Sequence, residues 1–485
     1  MNNYLNLPIT ELHELLKTRQ IKPIDLVEEA FEKIENSDLN AFITLDKEGA
    51  MKRAKELEEI EPDNILFGIP IAIKDNIVTK NLTTTCASKM LADFNPIYDA
   101  TVVERIKKAN MIIIGKTNMD EFAMGSTGET SYFGNTLNPW DHRMVTGGSS
   151  SGSACSVSAR LVPCALGSDT GGSIRQPSSF CGIVGLKPTY GRVSRHGLIA
   201  FASSLDAIGP MTKNVYDNAL LLNILAGYDD NDYTSSKKPV DDYTSLIGAD
   251  VSGLKIAVPT YYMSDQIDFE VREKISDVMD MLKAHGCQVD LVEMNYLEYA
   301  IPLYQVIALG EASSNLARFD GIRYGHRTDD YHNIEELYKN TRAEGFGDEV
   351  KRRIMIGSYV LSGENANIYY RKALQIRHAM VEEFKKQFES YDLMLGPTNT
   401  NVAYTFGTRQ DDALKCFYDD ILTIPVNMAG LPAMSLPVGF NYEKLPIGMH
   451  IIGNYFEEKK IYQLASFIEA KLNLDLTSKE GGAEC

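Results

Sequence analysis

GGSSSGSACSVSARLVPCALGSDTGGSIRQP, residues Gly147–Pro177, is the stretch on which the fold turns. Its first seven residues are a loop of glycine and serine. Ser153 to Arg160 then sets small residues at helical spacing, and Val162 to Leu166 reads as a buried strand. A second glycine-rich loop, Gly167 to Ser173, follows at once. Loop, helix, strand and loop in this order belong to an alternating α/β chain.

The same alternation continues on both sides. Upstream, Leu66 to Ile73 (LFGIPIAI) is a short apolar β-type run that ends on Lys74-Asp75-Asn76. Thr101 to Lys108 is helical, Met111 to Ile114 is a strand, and Asn138 to Gly148 is a loop. Ile9 to Asn36 reads as two helices divided at Pro23, from Leu12, Leu15 and Leu16 and then Val27, Ala30, Phe31 and Ile34. Downstream, LKIAVP is a strand and FEVREKISDVMDMLKAHG a helix. Ile301 to Lys386 is mostly helical and polar-faced, and Tyr391 to Pro397 and Leu431 to Gly453 return to strand patterns. The expected class is α/β, with a large central mixed, mostly parallel sheet flanked by helices. No repeat, low-complexity tract or linker divides the chain. The parse is one domain over residues 1–485, with N-terminal helices over about 9–60, a core over about 61–215 and a helical elaboration over about 300–386.

The 485 residues are 44% hydrophobic and 24% charged, which is ordinary globular composition. The net charge of −18 argues against this chain as the main holder of a polyanion, which needs a basic face. The run Lys351-Arg352-Arg353 is the best local exception. The seven cysteines (Cys86, Cys155, Cys164, Cys181, Cys287, Cys416 and Cys485) include no C-x-x-C pair. Free thiols in a reducing cytoplasm are expected, rather than a disulfide framework or a zinc site. The N-terminus lacks a signal-peptide pattern, and no apolar run approaches a membrane span.

Glycines turn the backbone sharply and bring bare N–H groups near a ligand. Such groups stabilise the oxyanion of a tetrahedral intermediate, and a serine beside them is a candidate nucleophile. Gly/Ser loops are in most proteins only turns, so a partner is needed to decide. Neither loop has the lysine of a phosphate-binding P-loop, and neither matches G-x-G-x-x-G. A serine nucleophile needs a base. His142 and His196 lie near the loops, but in no triad motif, and G-x-S-x-G is absent around both loop serines. A lysine serves when burial lowers its pKa. Lys74 closes the apolar run GIPIAIK, although a lysine at a strand end is more commonly a surface charge. Both readings of Lys74 stand at this point.

GIPIAIKDN, together with GGSSSGSACSVSARLVPCALGSDTGGSIRQPSSFCGIVGLKPTYGRVSRHG, closely resembles the amidase signature family. Ser149 and Ser173 stand 24 positions apart, the family's spacing. The resemblance extends over essentially the whole chain and implies that family's fold. It implies a catalytic triad of Ser173 as nucleophile, Ser149 as a proton relay in a cis peptide, and neutral Lys74 as base. It further implies an oxyanion hole from the N–H groups of Thr170, Gly171, Gly172 and Ser173. The family usually writes GGSSGGS, and Ser151 here replaces a glycine. A serine is tolerated there only if its φ is negative, and no role is assigned to it.

Three further segments, Asn118–Asp141, Glu311–Gly325 and Glu344–Tyr359, are similar to one branch of the family, the glutamine-hydrolysing subunits of tRNA-dependent amidotransferases. That branch implies a pocket for zwitterionic L-glutamine, with Tyr304, Arg353 and Asp420 as substrate-binding residues. Arg353 would bind the carboxylate and Asp420 the ammonium. Against this stands the ordinary reading of Lys351-Arg352-Arg353 as a solvated helix face and of Asp420 as a surface acid beside Asp419. The resemblance also implies a cytoplasmic heterotrimer. In it, ammonia passes to a larger B subunit that binds Glu-tRNA(Gln), ATP and Mg, and a small C subunit wraps both. No metal or cofactor is expected in this chain, which has no H-E-x-x-H and no His/Cys cluster. A stand-alone amidase acting on a small aliphatic or aryl amide is the alternative, followed by a catalytically dead scaffold on the same fold.

Overall fold

The structure, a computed structural model, describes residues 3–408 and 418–479. Cys416 and Cys485 lie outside the described residues. Cys86, Cys164, Cys181 and Cys287 are buried free thiols, and Cys155 is also buried.

The strands in chain order are β1 (Phe42–Leu45), β2 (Pro70–Lys74), β3 (Ile112–Thr117), β4 (Cys164–Asp169), β5 (Val184–Lys187), β6 (Ala207–Thr212), β7 (Lys255–Pro259), β8 (Gln288–Val292), β9 (Leu393–Pro397), β10 (Ala433–Phe440) and β11 (Pro446–Gly453). Among the described residues they form one sheet, ordered β1-β3-β2-β4-β6-β5-β10-β11-β9-β7-β8. The class is α/β and the sheet is mixed, as expected. Parallel pairs do not dominate it, however. β3, β2 and β4 run parallel at one end, and β9, β7 and β8 at the other. The centre, β4-β6-β5-β10-β11-β9, is antiparallel throughout. At β10-β11 the reason is connection length: the two strands are joined by a short turn, which cannot make the crossover that parallel pairing requires.

β2 is buried along its whole length, as a strand flanked by parallel neighbours must be. It starts at Pro70, later than the apolar run, because Leu66 to Gly68 form a turn that packs on the core. The helices Ile9–Lys17 and Pro23–Glu35 divide at the expected proline, which opens the second helix. The helix Ser151–Ser158 lies entirely inside the molecule, which explains its small residues. Its hydroxyls are satisfied internally: Ser153 Oγ donates to Leu166 O at 2.9 Å and lies 2.7 Å from Thr117 Oγ1.

The region after residue 300 holds the helices Ala300–Asn315, Ile334–Gly345, Asp348–Leu361 and Arg371–Phe388. Ala300–Asn315 packs tightly on Asp348–Leu361. A Cβ at Gly357 would lie 1.9 Å from Leu309 O, so only glycine permits this approach. Tyr304 and Arg353 are thereby carried on two helices held face to face. No helix of the described residues is long and apolar enough to cross a membrane.

Candidate active site

Three parallel strands deliver the site. Ile71 to Ile73 of β2 pair in register with Cys164 to Leu166 of β4, and Lys74 pairs with Thr117 of β3. Their carboxyl ends therefore emerge on one edge of the sheet. That edge is where ligands bind in open α/β sheets. Lys74, the loop after Asp169 and the segment after Thr117 all begin there.

Lys74 is fully buried. Its Nζ lies 2.8 Å from Ser149 Oγ, 2.8 Å from Ser150 Oγ and 3.2 Å from Ser168 O. Burial pushes its ammonium down to about 7, against the opposing pull of Asp120 and Asp169. A neutral amine is thus accessible near neutral pH, and the surface-charge reading of Lys74 does not hold. The Gly148–Ser149 peptide is cis. Gly148 N–H donates to Gln176 Oε1 at 2.8 Å, and Asp120 N–H donates to Ser149 O at 3.2 Å. Ser151 opens its helix and is not among the residues of positive φ, so the replacement of glycine is accommodated. Its hydroxyl lies 3.4 Å from Thr136 Oγ1.

Ser173 is 5% exposed, at the end of the second loop. The loop is braced from behind. Asp169 accepts from Arg175 Nε at 3.1 Å, from Arg175 Nη2 at 3.0 Å, from Ile174 N–H at 3.0 Å and from Asn427 Nδ2 at 2.8 Å. Burial pushes the Asp169 carboxyl up, but Arg175 overrides it and holds the group below the usual carboxylate range. Thr170 Oγ1 donates to Asp206 at 2.7 Å. The Gly171 carbonyl accepts from Thr423 Oγ1 at 2.6 Å, the Gly172 carbonyl from Gln176 N–H at 2.8 Å and the Ser173 carbonyl from Ser150 N–H at 3.1 Å. In a planar trans peptide the N–H opposes the carbonyl. The N–H groups of Gly172 and Ser173 therefore point away from Thr423 and Gln176. The last of these bonds ties the two serine loops to each other.

Tyr304 and Asp420 press on this loop. A Cβ at Gly171 would lie 2.8 Å from Tyr304 Cε2, and one at Gly172 would lie 2.5 Å from Asp420 Oδ1. Gly172 has φ +153, so both the backbone and the space demand glycine. Asp420 is buried, contrary to its reading as a surface acid. Ser126 Oγ donates to its Oδ2, while its Oδ1 has no hydrogen-bond partner among the described residues. Burial pushes its carboxyl well up. A buried acceptor in this state can take an ammonium. Arg353 is 2% exposed, whereas Lys351 and Arg352 are partly open to solvent. Its guanidinium lies 5.7 Å from the Phe201 ring centroid, and Phe201 lies 6.1 Å from the Tyr304 ring. Arg353 Nε also donates to Glu349 at 2.6 Å, an ion pair that the charge run did not announce.

Several residues of the site were not singled out from sequence. Ser150 shares Lys74 with Ser149. Asp120 accepts from Gly128 N–H and Thr130, and Gln176 Nε2 holds Ser126 O at 2.9 Å. Asp120 and Ser126 stand in a segment already marked as distinctive, whose adjacent buried acids Asp120 and Glu121 could have been sought there. His142 faces Asp38, and His196 stacks on Tyr98. His450 Nε2 lies 2.9 Å from Arg175 Nη1 and must accept from it. Its other nitrogen then carries the proton, so the ring has no lone pair left to act as a base.

The family model described as Amidase matches residues 25–462. The A subunit of glutamyl-tRNA(Gln) amidotransferase from Pediococcus pentosaceus is 53% identical over 471 residues, covering 96% of this chain and 97% of that protein. Its counterpart from Listeria welshimeri is 53% identical over 465 residues, covering 95% and 96%. The crystal structure of the counterpart from Thermotoga maritima superposes with a TM-score of 0.82 at 41% identity, covering 98% of this chain and 97% of that one.

Proposed function

The chain belongs to the amidase family, and on that premise we propose that it is the glutamine-hydrolysing A subunit of a glutamyl-tRNA(Gln) amidotransferase. The full-length similarity to curated proteins of that name supports the assignment. The observation that carries the chemistry is a fully buried lysine, with its ammonium pushed down to about 7, hydrogen-bonded to Ser149.

In this reading Ser173 Oγ attacks the side-chain amide carbonyl of L-glutamine. Its proton passes through Ser149 to neutral Lys74, and the carbonyl oxygen becomes an oxyanion facing the N–H groups of Thr170, Gly171, Gly172 and Ser173. Lys74 then returns the proton to the amide nitrogen through Ser149. The C–N bond breaks, ammonia leaves, and a glutamyl ester remains on Ser173. Water, deprotonated by the same relay, cleaves the ester to glutamate. Arg353 binds the α-carboxylate, Asp420 the α-ammonium, and Tyr304 lines the pocket between them. Asp420 supports this with a buried oxygen that lacks a hydrogen-bond partner among the described residues, and Arg353 with a buried guanidinium near the Phe201 ring that packs on Tyr304.

Ammonia then passes to a larger partner, the B subunit, which carries Glu-tRNA(Gln) and uses ATP and Mg to convert it to Gln-tRNA(Gln). A small C subunit completes a cytoplasmic heterotrimer. The chain's net charge of −18 suits a division of labour that leaves the tRNA to a partner.

The test is ammonia release from L-glutamine by the chain purified with its partners, beside a Ser173→Ala complex. Release that depends on Ser173 and rises with glutamylated tRNA and ATP is expected. The Ser173→Ala complex should still amidate with added ammonia. Hydrolysis of simple amides but not glutamine, with no copurifying partner, would contradict the assignment.

A further inference from the structure

Glu121 stands where the loop after β3 meets the helical elaboration. It is 3% exposed. Its carboxylate accepts from Gly347 N–H, at 2.9 and 3.1 Å to its two oxygens, and from Ser88 Oγ. Gly347 is the residue that caps the helix Asp348–Leu361, which carries Arg353. The first turn of a helix leaves N–H groups without intrahelical partners and bears partial positive charge. A buried carboxyl there is an acceptor for such an N–H group, and burial pushes the Glu121 carboxyl up to about 7.

The fit is close on both sides. A Cβ at Gly347 would lie 2.4 Å from Glu121 Oε2. The next residue, Phe122, has φ +50, and its ring lies 4.9 Å from Phe319 and 5.5 Å from Phe346. Glu121 and Phe122 thus grip the start of the Arg353 helix by hydrogen bonds and by a ring. Five positions on, Ser126 holds Asp420. One loop therefore touches the supports of both charged ends of the pocket.

We propose that Glu121 is a positioning residue for glutamine recognition, fastening the amino-terminal end of the Asp348–Leu361 helix so that Arg353 is held beside Phe201 and Tyr304. The inference rests on the reading in which Arg353 binds the α-carboxylate. Glu121 acts through Arg353, so its loss weakens substrate binding and spares the Ser173 centre.

The experiment is steady-state glutamine hydrolysis by the assembled enzyme carrying Glu121→Ala, Glu121→Gln, Gly347→Ala, Arg353→Ala or the Glu121→Ala/Arg353→Ala pair. Glu121→Ala should raise KM about tenfold and change kcat by less than about twofold. Glu121→Gln keeps an oxygen acceptor for Gly347 N–H and should stay within about threefold of the parent KM. Gly347→Ala should raise KM from the other side by displacing the carboxylate. In the Arg353→Ala background, Glu121→Ala should add nothing, because coupled residues are not additive. If Arg353→Ala leaves KM unchanged, the pocket reading falls and takes this inference with it. If Arg353→Ala raises KM but Glu121→Ala does not, or if the two effects simply multiply, only the role of Glu121 is overturned.

Discussion

Lys74 Nζ lies 2.8 Å from Ser149 Oγ in a site where both side chains are closed to solvent. Ser150 Oγ stands equally near. An amine with two hydroxyls and a carbonyl around it is satisfied without a carboxylate partner, so its neutral form survives burial. Lys74→Ala should lower kcat for glutamine hydrolysis by about 10²–10⁴-fold, the usual contribution of a general base. Lys74→Arg should fare no better, because a guanidinium does not deprotonate. Retention of more than a few per cent of activity in either variant would remove Lys74 from the proton path.

The pH dependence follows from the same group. Burial lowers the Lys74 pKa from its ordinary value near 10.5 to about 7. The base is the neutral form, so kcat/KM should rise with pH through about 7 and level off above it. A free-enzyme profile that rises only near pH 10 would mean that burial does not tune this lysine.

In the proposed pocket, recognition of a zwitterion divides between the buried side chains of Arg353 and Asp420. Arg353→Ala should raise KM for glutamine by about ten- to a hundredfold, the cost of a lost charge-assisted hydrogen bond of about 1.5–3 kcal/mol. Its effect on a neutral amide lacking the α-carboxylate should be much smaller. Equal losses on both substrates would point to a structural role through Glu349 instead.

Asp420 makes a thermodynamic prediction. Burial pushes its carboxyl well up, so the empty pocket holds the proton more tightly than an exposed carboxyl does. An ammonium placed against Oδ1 favours the carboxylate. Glutamine binding to the Ser173→Ala protein should therefore release protons, seen as a binding heat that varies with the ionisation heat of the buffer. Asp420→Asn should abolish that buffer dependence and weaken binding.

Behind the nucleophile loop, Arg175 and Asp169 form a fully buried pair. Arg175→Met leaves Asp169 without its main partner and should cost about 3–5 kcal/mol of stability, read from the denaturant midpoint. A shift below about 1 kcal/mol, the size of an exposed ion pair, would show that the pair carries little.

How much of this was legible in sequence depended on locality. The two serine loops and the run ending at Lys74 are continuous motifs, and their strands and helices appear within a few residues of where the periodicity puts them. The pairing direction was not legible. It depends on which strands meet, and the antiparallel centre joins β10 near the carboxyl end to β5 far upstream. Arg353 was legible as one of three adjacent cations, but not as the buried one. Successive helical residues turn by about 100°, so a run of three faces three ways, and only packing on Ala300–Asn315 decides which side goes in. Ser126 and Asp420 are 294 positions apart, and Glu121 and Gly347 are 226 apart. Such partners carry no local signal, and only the folded chain brings them together.

In the proposed reaction Ser173 carries the glutamyl group. The most direct measurement is peptide mass mapping of the enzyme, acid-quenched while turning over L-glutamine. A glutamyl ester on the peptide containing Ser173, absent from the Ser173→Ala protein, is the predicted result. Glutamine hydrolysis that persists in Ser173→Ala, or an ester found on Ser149 or Ser150 instead, would contradict the account.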